Sequence, residues 1–119
     1  MRIRVFVANM ELPPALRHHA EVRTWLALQR FARRMRWAEV HLRSCNGVRG
    51  NAGKCCRIEA WLGTAGLVVV EQMDVDPYAA IDLAAARLKQ AVARRLKALW
   101  QKQRRQLAEG REELALMEV

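Results

Sequence analysis

Cysteine, proline and tyrosine are scarce, with three, three and one in a chain of 119 residues. Cys55 and Cys56 are adjacent, so on a strand they point to opposite faces, and an odd number of thiols cannot all pair internally. Reduced thiols are expected, not a disulfide framework. No C-x-x-C or H-x-x-x-H spacing joins His18, His19, His41, Cys45, Cys55 and Cys56 into the pairs that set up tetrahedral zinc, so no metal and no cofactor is expected. The motifs of common catalysts are missing too. There is no G-x-S-x-G, no glycine loop ending in Gly-Lys-Ser or Gly-Lys-Thr and no defensible Ser-His-Asp order. A thiol enzyme built on Cys45 or Cys55 would have only His41 as a nearby base. The expectation is a protein that is not an enzyme and has no small-molecule substrate. No apolar run approaches the roughly 20 residues that span a bilayer. The opening "MRIRVFVANMELPP" lacks the apolar core and cleavage pattern of a signal peptide, so a cytoplasmic protein without a membrane partner is expected.

What is present is a foldable composition with a large positive excess. The chain is 52% hydrophobic and 28% charged, enough apolar surface to offset the entropy of ordering one domain. Lys and Arg number 21 against 12 acidic residues, a formal charge of +9. Such an excess costs self-repulsion unless a polyanion neutralises it, which makes nucleic acid the leading partner class.

Periodicity sets the order of elements. "RIRVFVA" alternates, with Ile3, Val5 and Val7 on one side. From Pro13 to Arg34, Leu16, Ala20, Ala27 and Phe31 recur at helical spacing behind a proline-rich first turn. No Ser, Thr, Asp or Asn precedes Pro13, so this helix starts without a side-chain cap, at a typical cost of ~1 kcal/mol. "WAEVHLRS" sets Ala38, Val40 and Leu42 against Glu39, His41 and Arg43. "CCRIEAWL" sets Cys56, Ile58, Ala60 and Leu62 against Arg57, Glu59 and Trp61. Between them "NGVRGNAGK" reads as a long flexible hairpin loop with Arg49 and Lys54 at a cationic tip. After the turn "GTAG", "LVVVEQM" gives a fourth strand, Val68 and Val70 facing the core. Asp76 then caps a helix with Pro77 first, striped by Ile81, Ala85, Leu88, Val92, Leu96 and Leu99. The expected fold is α+β, β-α-β-β-β-α: a four-stranded mixed sheet with two helices packed on one face. Residues 1–105 form the domain, and 106–119 form a tail that either extends the second helix or is disordered. Its acidic residues could also fold back on the basic helix.

The helices carry the functional signal. On the second, Arg87, Arg94, Lys97 and Arg105 fall opposite the apolar stripe, and Asp82 is the only acid between Pro77 and Ala108. The first carries Arg17, Arg23, Arg30, Arg33, Arg34 and Arg36 with Glu21 as its only acid. A solvated helix face normally mixes signs, because like charges at i and i+4 repel, so a one-signed face marks a binding surface. Arg grips phosphate oxygens bidentately and stacks on unpaired bases, which suits structured RNA. Trp25 and Trp100 lie off the apolar stripes, where an indole packs at the core edge or stacks on a base.

Several segments resemble the ribosome hibernation-promoting factor family, also described as ribosome-associated inhibitors or sigma-factor modulation proteins. They are "ELPPALRHHAE", "NGVRG" followed by "GKCCRIEAWL", "VVVEQMDVDPYAAIDLAAARL" and "KQAVARRLK". The block Asp76, Tyr78, Ala79, Ala80, Ile81 and Asp82 is the most specific. The resemblance implies a protein seated in the mRNA and tRNA channel of the small ribosomal subunit, inhibiting translation under stress, with no cofactor and no catalysis. It maps ribosomal RNA contacts onto Arg87 and Arg94 and places Arg23 and Arg30 comparably. With the one-signed faces, the expected RNA-binding residues are Arg23, Arg30, Arg33, Arg87, Arg94 and Lys97. The tail leaves no room for the dimerisation domain of long members, so a short form is expected. A free strand edge would still allow two copies to pair weakly. The alternative is a protein-interaction module in which the second helix docks a partner through Trp100, Leu107 and Leu114.

Overall fold

Alternating apolar residues along four short segments commit them to strands, and their shared apolar side commits them to one sheet. The computed structural model describes residues 1–48 and 51–117. Strands β1 (Arg2–Ala8), β2 (Trp37–Val48), β3 (Asn51–Trp61) and β4 (Leu67–Asp74) lie side by side in sequence order, and helices α1 (Pro14–Leu28) and α2 (Pro77–Met117) complete the fold. β1 pairs with β2 in parallel, the two joined through α1; the other pairings are antiparallel. Both helices cover one face, giving the α+β architecture expected.

The core lies between sheet and helices. Ala38, Val40, Ile58 and Ala60 are fully buried beneath Ile81, Leu88 and Val92 of α2, with Leu16 and Ala20 of α1 beside them. Each fully buried Leu, Ile or Val contributes roughly 1.5–3 kcal/mol relative to its exposed state. Val68 and Val70 face this core as expected, Val70 half-buried. Val7 is exposed although it shares a side with Ile3 and Val5, because it lies at the end of an edge strand.

Two boundaries differ from the sequence pattern. α1 ends at Leu28, not at Arg34, and the chain tightens into a 3-10 turn over Gln29–Phe31. The turn lets Phe31 and Met35 plug the core before β2 begins, and no Gly or Pro marks the stop. The stretch read as a flexible loop is mostly ladder. β2 and β3 stay paired out to Val48 and Asn51, with a register shift between Asn46 and Val48. A bulge absorbs the odd residue and lets a Gly- and Asn-rich stretch remain in a sheet. Of the expected cationic tip, Arg49 lies outside the described residues, and Lys54 Nζ donates to Ser44 Oγ at 2.8 Å.

The caps are as the sequence implies. No side-chain hydrogen bond caps the start of α1. At α2, Asp76 Oδ1 accepts from Tyr78 N at 3.0 Å, with Pro77 in the first position. The β3–β4 turn requires positive φ at Gly63 (65°) and Gly66 (86°). Arg95 on α2 fastens that turn by donating to Ala65 O at 3.0 Å.

α2 is 41 residues long and continues unbroken past Gly110. At ~1.5 Å per residue it spans roughly 60 Å, which accounts for the 70 Å long axis of the molecule. From Gln101 to Met117 every residue except Gly110 is exposed. Glu109, Glu112 and Glu113 ride on this projecting part, and among the described residues they form no ion pair with the basic stretch.

Candidate nucleic-acid interface

The stripe that buries one side of each helix leaves the opposite side to its cations. The six expected contact residues are all exposed, and the packing distributes them over two tracks. The first follows the groove between the helices. Arg23 borders a cleft there with Leu26, Ala27, Ala85, Ala86 and Lys89. Farther along, Arg30, Arg33 and Arg34 surround a second cleft with Phe31, Leu96 and Trp100. The Arg34 guanidinium lies over the Trp100 ring at 5.5 Å, and Arg30 over Phe31 at 5.5 Å. Such stacking orients a guanidinium while its hydrogen-bond donors stay free.

The second track is on α2 alone. At about 100° per residue, Arg87 and Arg94 fall roughly 120–160° around the helix from Lys89 and Trp100, with Lys97 between the tracks. The structure therefore gathers Arg30 and Arg33 and puts Arg23 farther along the same groove. It sets Arg87 and Arg94 on a separate flank of α2.

Charge pairing engages the acids of the sheet's open face, while Arg2 and Arg4 on that face have no carboxylate within ion-pair distance among the described residues. On the open face of the sheet, Glu71 accepts from Arg43 at 3.1 Å, Glu59 from Arg57 at 2.8 Å, and Glu39 lies 3.1 Å from His41 Nε2. On the helical face, among the described residues, Asp82 is the one acid engaged, with Arg23 Nε at 3.0 Å and His19 Nε2 at 2.7 Å. Among the described residues, Arg30, Arg33, Arg34, Arg87, Lys89, Arg94 and Lys97 have no carboxylate within ion-pair distance. Lys89 and Arg34 were outside the expected set. Lys89 leans toward α1 rather than straight outward, and Arg34 follows a turn that breaks the helical phase.

The remaining chemistry is structural. The Cys55 thiol donates to Glu71 Oε1 at 2.8 Å, and burial with that bond pushes it up to about 12. Burial does the same to Cys56 on the core side, also to about 12. Neither thiol has the thiolate character a nucleophile needs. The Cys55 hydrogen bond, ahead of Arg43, holds Glu71 below the usual carboxylate range. Ligand atoms of Glu39, His41 and Glu59 lie within 4.8 Å of one another, the one grouping of metal-ligating type among the described residues. Both carboxylates there already have partners, in His41 and Arg57. No helix among the described residues is long and apolar enough to cross a membrane.

Residues 3–99 match the family described as sigma 54 modulation protein / S30EA ribosomal protein. Among solved structures, the chain is similar to the N-terminal domain of Protein Y from Thermus thermophilus. The two share 33% identity over 79% of this chain and 98% of that one, with a TM-score of 0.60. It is similar in fold to a ribosomal subunit interface protein from Coxiella burnetii, with 18% identity over 82% of this chain and 99% of that one and a TM-score of 0.66. Comparison with curated protein sequences finds no match.

Proposed function

The chain belongs to the sigma 54 modulation protein / S30EA ribosomal protein family of non-enzymatic, ribosome-associated proteins, and on that footing we propose that it binds ribosomal RNA in the mRNA and tRNA channel of the small subunit and restrains translation under stress. Its place of action in this reading is the cytoplasm. The observation that carries the reading is the set of helical-face cations without carboxylate partners, beside a sheet face whose acids are engaged. Unpaired guanidinium groups bind phosphate without first breaking an internal ion pair, and contacts to the RNA backbone fix position without reading sequence. Arg23, Arg30, Arg33, Arg87, Arg94 and Lys97 are the proposed contacts, with Lys89 and Arg34 added from the groove.

The test is sedimentation through a sucrose cushion with separated ribosomal subunits at low salt. The protein is expected to pellet with the small subunit, and the double variant Arg87→Glu and Arg94→Glu to stay in the supernatant. Equal recovery of the variant, or pelleting with the large subunit alone, contradicts the proposal.

A second reading is favoured by one feature, the projecting part of α2. Trp100, Leu107 and Leu114 recur there every seven residues and are 40%, 64% and 63% exposed. A line of this kind suits docking a protein partner. A salt-insensitive protein complex lost on Leu107→Glu and Leu114→Glu would support that reading over the first.

A further inference from the structure

The open face of the sheet, which the ribosomal reading does not use, carries its own cationic cleft. The register lines up Arg2, Trp37, Trp61 and Leu67 across the four strands at one end of the sheet. Trp37 and Trp61 are stacked, their planes 7° apart and their centroids 6.2 Å apart. A cleft of about 380 Å³ opens beside Trp37, lined by Arg2, Arg4, Arg36, Trp37, Ala38 and Glu39. This volume is at the lower end of the roughly 300–1,000 Å³ typical of small-ligand sites.

Three observations converge on the ligand chemistry. Trp37 borders the cleft and is stacked on Trp61, which is not part of the lining, so Trp37 is the aromatic that a base entering the cleft would meet. Among the described residues none of Arg2, Arg4 and Arg36 has a carboxylate within ion-pair distance, and Glu39, the one acid in the lining, is taken up by His41 at 3.1 Å. The main chain at Arg36 is anchored beside the tryptophan pair, its backbone N–H donating to Trp61 O at 2.9 Å. An aromatic plane accepts any base by stacking, and free guanidinium groups accept its phosphate. Three guanidinium groups spread over β1 and the residue just before β2 can reach more than one phosphate, which suits a nucleotide within a strand.

We propose that this cleft binds an unpaired nucleotide within an RNA strand, its base stacked on Trp37 and its phosphates held by Arg2, Arg4 and Arg36. The site is separate from the helical cations, so the protein holds RNA on two faces.

The experiment measures binding of a labelled hexa-adenylate and of AMP to the full chain by fluorescence anisotropy and competition. Trp37→Leu is expected to weaken hexa-adenylate binding by about ten-fold or more, the loss of one stacked base, and Trp37→Phe to stay within about threefold because it keeps an aromatic plane. Arg2→Ala and Arg36→Ala, both remote from the core, weaken binding and flatten its salt dependence. Arg87→Glu with Arg94→Glu lowers hexa-adenylate affinity through the loss of positive charge but leaves the affinity ratio between wild-type Trp37 and Trp37→Leu intact. Trp37→Leu leaves small-subunit sedimentation unchanged, so the two proposals fail independently. Equal binding by wild type, Arg2→Ala and Trp37→Leu overturns the inference. So does AMP binding as tightly as the hexanucleotide, which would make this a free-nucleotide site.

Discussion

Arg23 Nε donates to Asp82 Oδ1 across 3.0 Å, tying α1 to α2 through the one acid on α2's domain portion. Both side chains are nearly half exposed, 44% and 45%, so solvent screens the pair and its stability contribution falls in the range of about 0–1 kcal/mol. Its cost is functional, because it occupies one of the proposed RNA contacts. Asp82→Ala is expected to lower the unfolding midpoint only slightly while tightening binding to the small subunit at low salt. Titration by both readouts checks this; weaker binding would mean that Arg23 needs Asp82 to hold its position.

Thr24 is fully buried in α1, and its Oγ1 has no hydrogen-bond partner. A buried hydroxyl left unpaired costs roughly 1–3 kcal/mol, and valine has nearly the same shape. Thr24→Val is expected to stabilise the fold by about 1 kcal/mol in urea unfolding. A destabilised variant would reveal a partner for the hydroxyl.

The thiols give a pH signature with a definite sign. Burial pushes Cys55 and Cys56 up to about 12, against roughly 8.5 in an unfolded chain. The folded state therefore keeps protons that the unfolded state releases. The resulting stability is complete below about pH 8.5 and drains as pH rises toward 12. The stability gap between wild type and Cys56→Ala is expected to narrow by about 2 kcal/mol between pH 8 and pH 10.5. At neutral pH in the native protein, a thiol reagent is expected to modify the half-buried Cys45 and to reach the other two only on unfolding. Glu71 works at the other end of the scale. Held below its ordinary range by the Cys55 thiol and Arg43, it adds stability above that range that is lost as pH falls through it.

Gly110 lies within the exposed helical extension, and a Cβ there would meet nothing within 4 Å. Gly110→Ala is expected to raise local helix stability by about 1 kcal/mol. The measurement is amide hydrogen exchange over residues 104–117, where slower exchange is the expected result.

The fold was legible because its signals are local. Period-two alternation placed all four strands, and the Asp76–Pro77 pair marked the start of α2. The end of α1 was not legible, since burying Phe31 and Met35 depends on the path into β2 and no local residue announces the turn. The hairpin itself is legible, but its loop reads longer than it is because Gly and Asn signal turns locally, while cross-strand pairing to Val48 and Asn51 is a tertiary outcome. For the interface, sequence identified which residues are outward but not how two helices share a groove. Lys89 and Arg34 were therefore missed, and the Arg23–Asp82 pair could not be foreseen. The open-face cleft depends on strand register, which brings Arg2 beside Trp37 from 35 residues away.

The central claim is that cations of the two helices hold the protein to ribosomal RNA through phosphates. The most direct measurement is the affinity for small subunits as a function of KCl, for wild type and for single Ala variants of Arg30, Arg33, Arg87 and Arg94. The account predicts a steep linear fall of log K with log[KCl], with each substitution flattening the slope by roughly 0.7–0.9. An affinity that does not change with salt, or a slope that none of the four substitutions alters, would contradict it.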